Sequence, residues 1–204
     1  MTKVIRFGVL AAILGIAMVG CDKDGDGGKG TKSLPKIEDE PTAKQLARAV
    51  RSSLSSVNYA ISEGFSAPVN VSGSESGSVS VSGTKSSTST GTSSSGSGYD
   101  TETTDISLVF SDFSDGSNLK IVSGNGTYYR HYSYDYRNWG SVSSSKTSVS
   151  YTLTSCLIIF SYNGKKYGCT VDISYRAPEP YARSYNGSVT VEGKETFSFT
   201  GYDY

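Results

Sequence analysis

Apolar residues at Leu46, Val50, Leu54, Val57 and Ile61 recur at steps of three and four. That spacing places one stripe along an amphipathic helix. Thr42-Ala43-Lys44-Gln45 reads as a capping box, T-x-x-Q, and Gly64 as a stop, so the pattern predicts a helix over 41–64. The stripe is expected to pack on a sheet, although Lys44, Arg48 and Arg51 also suit a membrane surface or a partner. The period then changes from 3.6 to 2. Val69 and Val71 alternate with polar residues, as do Val79 and Val81, then Ile106, Leu108 and Phe110, and then Leu119 and Ile121. Further on, Val149, Tyr151, Leu153, Leu157 and Ile159 are expected on one face of a strand, followed by Tyr167, Val171, Ile173 and Tyr175. Val189, Val191, Phe197 and Phe199 close the series. Asp115-Gly116, Asn125-Gly126, Asn163-Gly164 and Asn186-Gly187 mark turns, and Pro178 with Pro180 breaks the sheet. Strand, turn, strand without intervening helices predicts a mainly β domain over 65–204. Its form would be an antiparallel meander, as a curved sheet or a sandwich, with the helix covering part of one face.

One segment resists this pattern. From Ser72 to Gly98, 23 of 27 residues are Ser, Thr or Gly. Two short, weakly held strands are expected around the valines, then a flexible loop near 86–98.

The front of the chain is of another kind. Lys3 and Arg6 form a basic head, Phe7 to Val19 is apolar, and Gly20 precedes Cys21. Residues 1–20 therefore read as a signal peptide, too short in its apolar run to span a bilayer. Gly20-Cys21 resembles the lipobox of bacterial lipoproteins, with Met18 where Leu is usual. The resemblance implies that Cys21 is acylated and becomes the new N-terminus, with several acyl chains holding the protein at a membrane of the cell envelope. One chain alone would attach only marginally. An Asp directly after the cysteine resembles the inner-membrane retention signal of proteobacterial lipoproteins. Lys23 followed by acids resembles a surface-export signal of Bacteroidetes lipoproteins, and the outer membrane is the favoured destination. The stretch from Ser107 to Tyr129 also resembles a loose group of uncharacterised β-rich bacterial lipoproteins, which implies no activity.

Residues 21–40, rich in Gly, Lys and Asp, are expected to be a flexible tether. Asp22, Asp24, Asp26 and Gly27 begin like a calcium loop, but the eighth and twelfth positions hold Lys29 and Ser33 rather than an apolar residue and an acid. No metal site and no cofactor are expected. Loss of Lys3 and Arg6 with the signal takes two of 19 basic residues against 19 acidic ones, leaving a net charge of −2. No basic stripe points to nucleic acid.

Chemistry is sparse. His131 is the one histidine, set mid-strand as a sheet-surface residue, and no nucleophile elbow or zinc spacing accompanies it. A structural or interaction protein without catalysis is therefore expected. Its candidate ligand face is Tyr128, Arg130, Tyr132, Tyr134 and Tyr136, which share one side of a strand, with Trp139 close behind. Exposed, these residues would form an aromatic platform for a glycan or a protein; buried, they would pack across strands. Cys156 and Cys169 are the cysteines left once Cys21 is acylated. A two-residue turn at Asn163-Gly164 would set them diagonally. A four-residue loop over Ser161 to Gly164 would set them opposite each other, and that loop with a Cys156–Cys169 disulfide is the expectation against two free buried thiols.

Overall fold

The computed structural model describes residues 33–65, 68–92, 97–116, 118–136, 144–177 and 184–202. Residues 1–20 with the expected signal peptide, Cys21, the acidic cluster after it and Trp139 lie outside the described residues. Helix α1 (Glu40–Ala60) is followed by β1 (Val69–Ser72), β2 (Ser76–Thr92), β3 (Ser97–Ser114), β4 (Leu119–Tyr136), β5 (Ser144–Tyr162), β6 (Lys165–Ala177), β7 (Ser184–Val191) and β8 (Glu195–Tyr202). All eight strands join one antiparallel sheet in sequence order, and it does not close into a barrel. The fold is the expected meander, as one sheet rather than a sandwich.

The helix starts and stops differently from expectation. Its N-cap is Asp39, not Thr42. The Asp39 carboxylate accepts from the Thr42 backbone N–H at 2.7 Å and from the Thr42 hydroxyl at 2.9 Å. Pro41 sits in the first turn, where its missing N–H costs nothing. At the other end the helix stops at Ala60, with Ile61 extended. The last turn holds no basic residue of its own. Lys85 of β2 supplies one, donating to the Asn58 carbonyl at 2.8 Å and the Ile61 carbonyl at 3.2 Å. A buried ammonium thus satisfies carbonyls the helix cannot and complements its dipole. Leu46, Val50, Leu54 and Val57 are at most 1% exposed, so the stripe is core, as expected. Each such side chain contributes roughly 1.5–3 kcal/mol by leaving water.

Three expectations fail for local reasons. The tether ends early: Ile37 is buried, and the Pro35 carbonyl accepts from Gly168 N at 3.0 Å. The expected loop near 86–98 is largely paired, with Ser86 opposite Thr103 and Gly91 opposite Gly98. Ser and Thr make a serviceable strand when a neighbour completes the backbone ladder, whatever their apolar content. In β5 the core face changes parity. Leu153 lies opposite Ile173 and Cys156 opposite Val171, so two residues oppose one between them. Ser155 takes φ 50° there, and its N–H is held by the Asp172 carboxylate at 2.7 Å. This bulge turns Cys156, Ile158 and Phe160 into the core and leaves Leu157 41% exposed.

The cysteines follow from the same register. Asn163 and Gly164 have φ of 50° and 73°, which makes a two-residue turn pairing Tyr162 with Lys165. Such a turn matches the strand twist, and the four-residue loop would forfeit that last pair. Cys156 therefore faces Val171, and Cys169 faces Ile158. Both are free, buried thiols; the expected disulfide is not formed. Cys156 fills the space left by Gly124, where a Cβ would stand 2.4 Å from its sulfur.

Candidate ligand face

Alternation puts Tyr128, Arg130, Tyr132 and Tyr134 of β4 on the face that carries the helix, while the side chain of Tyr136 lies outside the described residues. The helix divides them. Tyr128 is buried, 1% exposed, and lies opposite Tyr151. From there a row of rings crosses the sheet. Tyr151 stacks on Tyr175 at 5.0 Å between centroids, and Tyr175 on Tyr185 at 5.5 Å. The Tyr151 hydroxyl donates to the Ala47 carbonyl of the helix. The helix cations close over the row: Arg51 donates to the Tyr175 hydroxyl at 2.8 Å, and Lys44 and Arg48 lie over the Tyr185 ring. These three basic residues serve packing on the sheet. Burial pushes the Tyr128, Tyr151 and Tyr175 hydroxyls above the ordinary tyrosine value. The shift is largest at Tyr151, where the neighbouring Tyr175 adds to it, whereas Arg130 opposes it at Tyr128 and Arg51 at Tyr175.

Beyond the helix end the same face is only partly covered among the described residues. Thr104, fully buried, donates to the Asn58 side chain at 2.7 Å and marks the boundary. Past it, Arg130 pairs with the Glu102 carboxylate and lies 5.4 Å from the centroid of the Tyr132 ring. Glu102 stands opposite Tyr132, and Asp100 opposite Tyr134. Ser89 donates to Asp100 at 2.6 Å, and Ser87 to Glu63, just past the helix, at 2.7 Å. Tyr132 and Tyr134 are half-buried. Tyr132 is not a bare platform, because Arg130 stacks over its ring. This end of the face presents ring edges, two carboxylates, a guanidinium and hydroxyls. Such a set can grip a polyol by paired hydrogen bonds or a protein loop by its rim.

His131 points to the other face, between Thr103 and Ser148, with its Nδ1 3.1 Å from the Thr103 hydroxyl. Among the described residues no cluster of three or more His, Cys, Asp or Glu is placed to hold a metal. Single-strand reasoning missed Asp100 and Glu102, which meet their partners through cross-strand register, and Lys85, which meets the end of the helix. The alternation within β3 could have grouped Asp100 with Glu102. Comparison with family models, with curated proteins and with solved structures finds no match.

Proposed function

We propose that this chain is a bacterial lipoprotein, anchored through acylated Cys21 and favouring the outer membrane of the cell envelope. It holds its β domain out for binding and does no chemistry. The observation that carries this reading is the tripartite signal ending at Gly20-Cys21, followed by a Gly-, Lys- and Asp-rich linker. The folded unit beyond it begins at Ser33. Among the described residues no helix is long and apolar enough to cross a membrane; the attachment proposed here is through the acyl chains on Cys21. Cys21→Ser tests this in the native host. The variant should lose lipid labelling and leave the membrane fraction. Retention of both would overturn the reading.

A second reading rests on the open end of the tyrosine face. Glu102, Asp100 and Arg130 around Tyr132 and Tyr134 suit a glycan or another ring-bearing ligand, with hydroxyls read by the charged groups and ring edges packing on the apolar faces.

A further inference from the structure

Strand β8 ends the sheet, and no described strand pairs with its outer edge. Which of its groups face outward follows from one bond. The Thr200 carbonyl accepts from the Lys44 ammonium at 2.9 Å, so it points away from β7. Alternation then sends the main-chain groups of Thr196, Ser198 and Tyr202 the same way. All four residues are exposed, Tyr202 by 66%. The opposite edge is guarded by the four-residue β1 with Pro68 before it, whereas β8 is twice as long and carries no proline and no lysine.

The sequence of this edge is its own mirror about one residue: Thr196-Phe197-Ser198-Phe199-Thr200. A two-fold contact requires a surface that complements itself. We propose that β8 pairs antiparallel with β8 of a second copy about an axis at Ser198, joining two sheets into one. Ser198 would then face the partner's Ser198, and Thr196 the partner's Thr200. These outward pairs would exchange about six main-chain hydrogen bonds. A carbonyl has two lone pairs, so Thr200 can accept from the partner while keeping Lys44. Phe197, only partly buried at the edge, would be covered by the partner's Phe199. On the opposite face Thr190 and Thr196 already share a hydrogen bond at 2.9 Å, and the partner's Thr200 would lengthen that row. Beyond β1 no described strand pairs with the edge of β2, whose Lys85 carbonyl already accepts from Gly64 N–H at 2.9 Å, and pairing the rest of it with β8 would be head-to-tail and would grow chains instead of dimers. The inference does not depend on the lipid anchor.

The test uses the full chain in detergent, followed by sedimentation over a concentration series. A reversible dimer is expected. Ser198→Pro should weaken it by at least about tenfold while leaving the fold intact, because the N–H it removes faces outward. Ser198→Ala should leave the dimer unchanged. Register is read separately by cross-linking, in case Ser198→Pro misfolds. Ser198→Cys should form a disulfide-linked dimer under mild oxidation, since opposite hydrogen-bonded residues stand about 5.5 Å apart at Cα. Thr196→Cys alone should not cross-link, whereas Thr196→Cys with Thr200→Cys should. A monomer at every concentration, open-ended chains, or Thr196→Cys cross-linking as well as Ser198→Cys would each overturn the proposal.

Discussion

Tyr128 and Tyr132 stand on the same strand and the same face, four residues apart, yet belong to different regions of the molecule. Tyr128 lies under α1 at the end of a stacked row, its hydroxyl pushed up by burial. Tyr132 lies past the helix end, half-buried, with Arg130 over its ring and a carboxylate across from it. The residue type is the same, so its role is set by what covers it. Where the helix covers the sheet, tyrosine is core with a polar tip. Where Lys85 and Thr104 close off the helix, the face turns to charge and hydroxyls. The boundary is therefore a built feature: a buried lysine and a buried threonine both bind Asn58 in the last helical turn.

The sharpest way to break this comparison is to cut the covered row. Tyr151→Ala removes a fully buried ring, its stack on Tyr175 and its bond to the helix backbone. It should cost about 3–5 kcal/mol in urea unfolding, and Tyr134→Ala under about 1 kcal/mol. Equal losses would mean that the two regions do not differ in the way described.

Alkaline titration sharpens the same contrast without mutating the open end. In the folded chain Tyr128, Tyr151 and Tyr175 hold their protons above the ordinary value of 10.0, through burial. Once pH passes that value the unfolded chain releases protons that the folded chain keeps. The unfolded state then binds fewer protons, so stability falls as pH rises, by about 1.4 kcal/mol per pH unit for each such group. Below about pH 9 these three tyrosines should contribute no slope. Cys156, pushed up to about 11 by burial, adds to the loss from its own ordinary value of 9.0 upward. Unfolding measured along a pH series should show this decline, and Tyr151→Phe should remove close to one group's share. An unchanged slope in that variant would separate Tyr151 from the effect.

The meander was legible because its signals are local: period-2 alternation, turn pairs at Asp115-Gly116 and Asn163-Gly164, and an apolar stripe of helical period; Asn125-Gly126 and Asn186-Gly187, expected as turns, instead lie inside β4 and β7, where neighbouring strands pair them. What escaped was whatever depends on a neighbour. Ser86 to Gly91 carry no apolar pattern and become strand because β3 supplies a ladder. Ser155 gives no sign of a bulge until Asp172 lies across from it to hold its N–H, and that bulge decides that Leu157 is outside and Cys156 inside. Ile37 has Leu34 as its one aliphatic neighbour in a polar run, too few positions to set a period. The candidate face was half legible. The alternation of β4 grouped Tyr128, Arg130, Tyr132 and Tyr134 correctly, but where the helix ends above them is a tertiary fact. The row Tyr151–Tyr175–Tyr185 needed the register of three strands at once.

The smallest expected effect bears on the open region. The Arg130–Glu102 pair is partly exposed, with side chains 19% and 27% accessible, so its Coulomb term is screened and contributes at most about 1 kcal/mol. Glu102→Gln keeps the shape and removes the charge. If this end of the face is a binding surface, the variant should unfold within about 0.5 kcal/mol of the parent. Its binding on a glycan array should change, because freeing Arg130 alters the one group that contacts both Tyr132 and Glu102. If Arg130 only packs, the array should be blank for parent and variant alike, and the stability change is all that remains. A loss of more than about 2 kcal/mol would place the pair with the covered row, and the helix end would no longer divide the face.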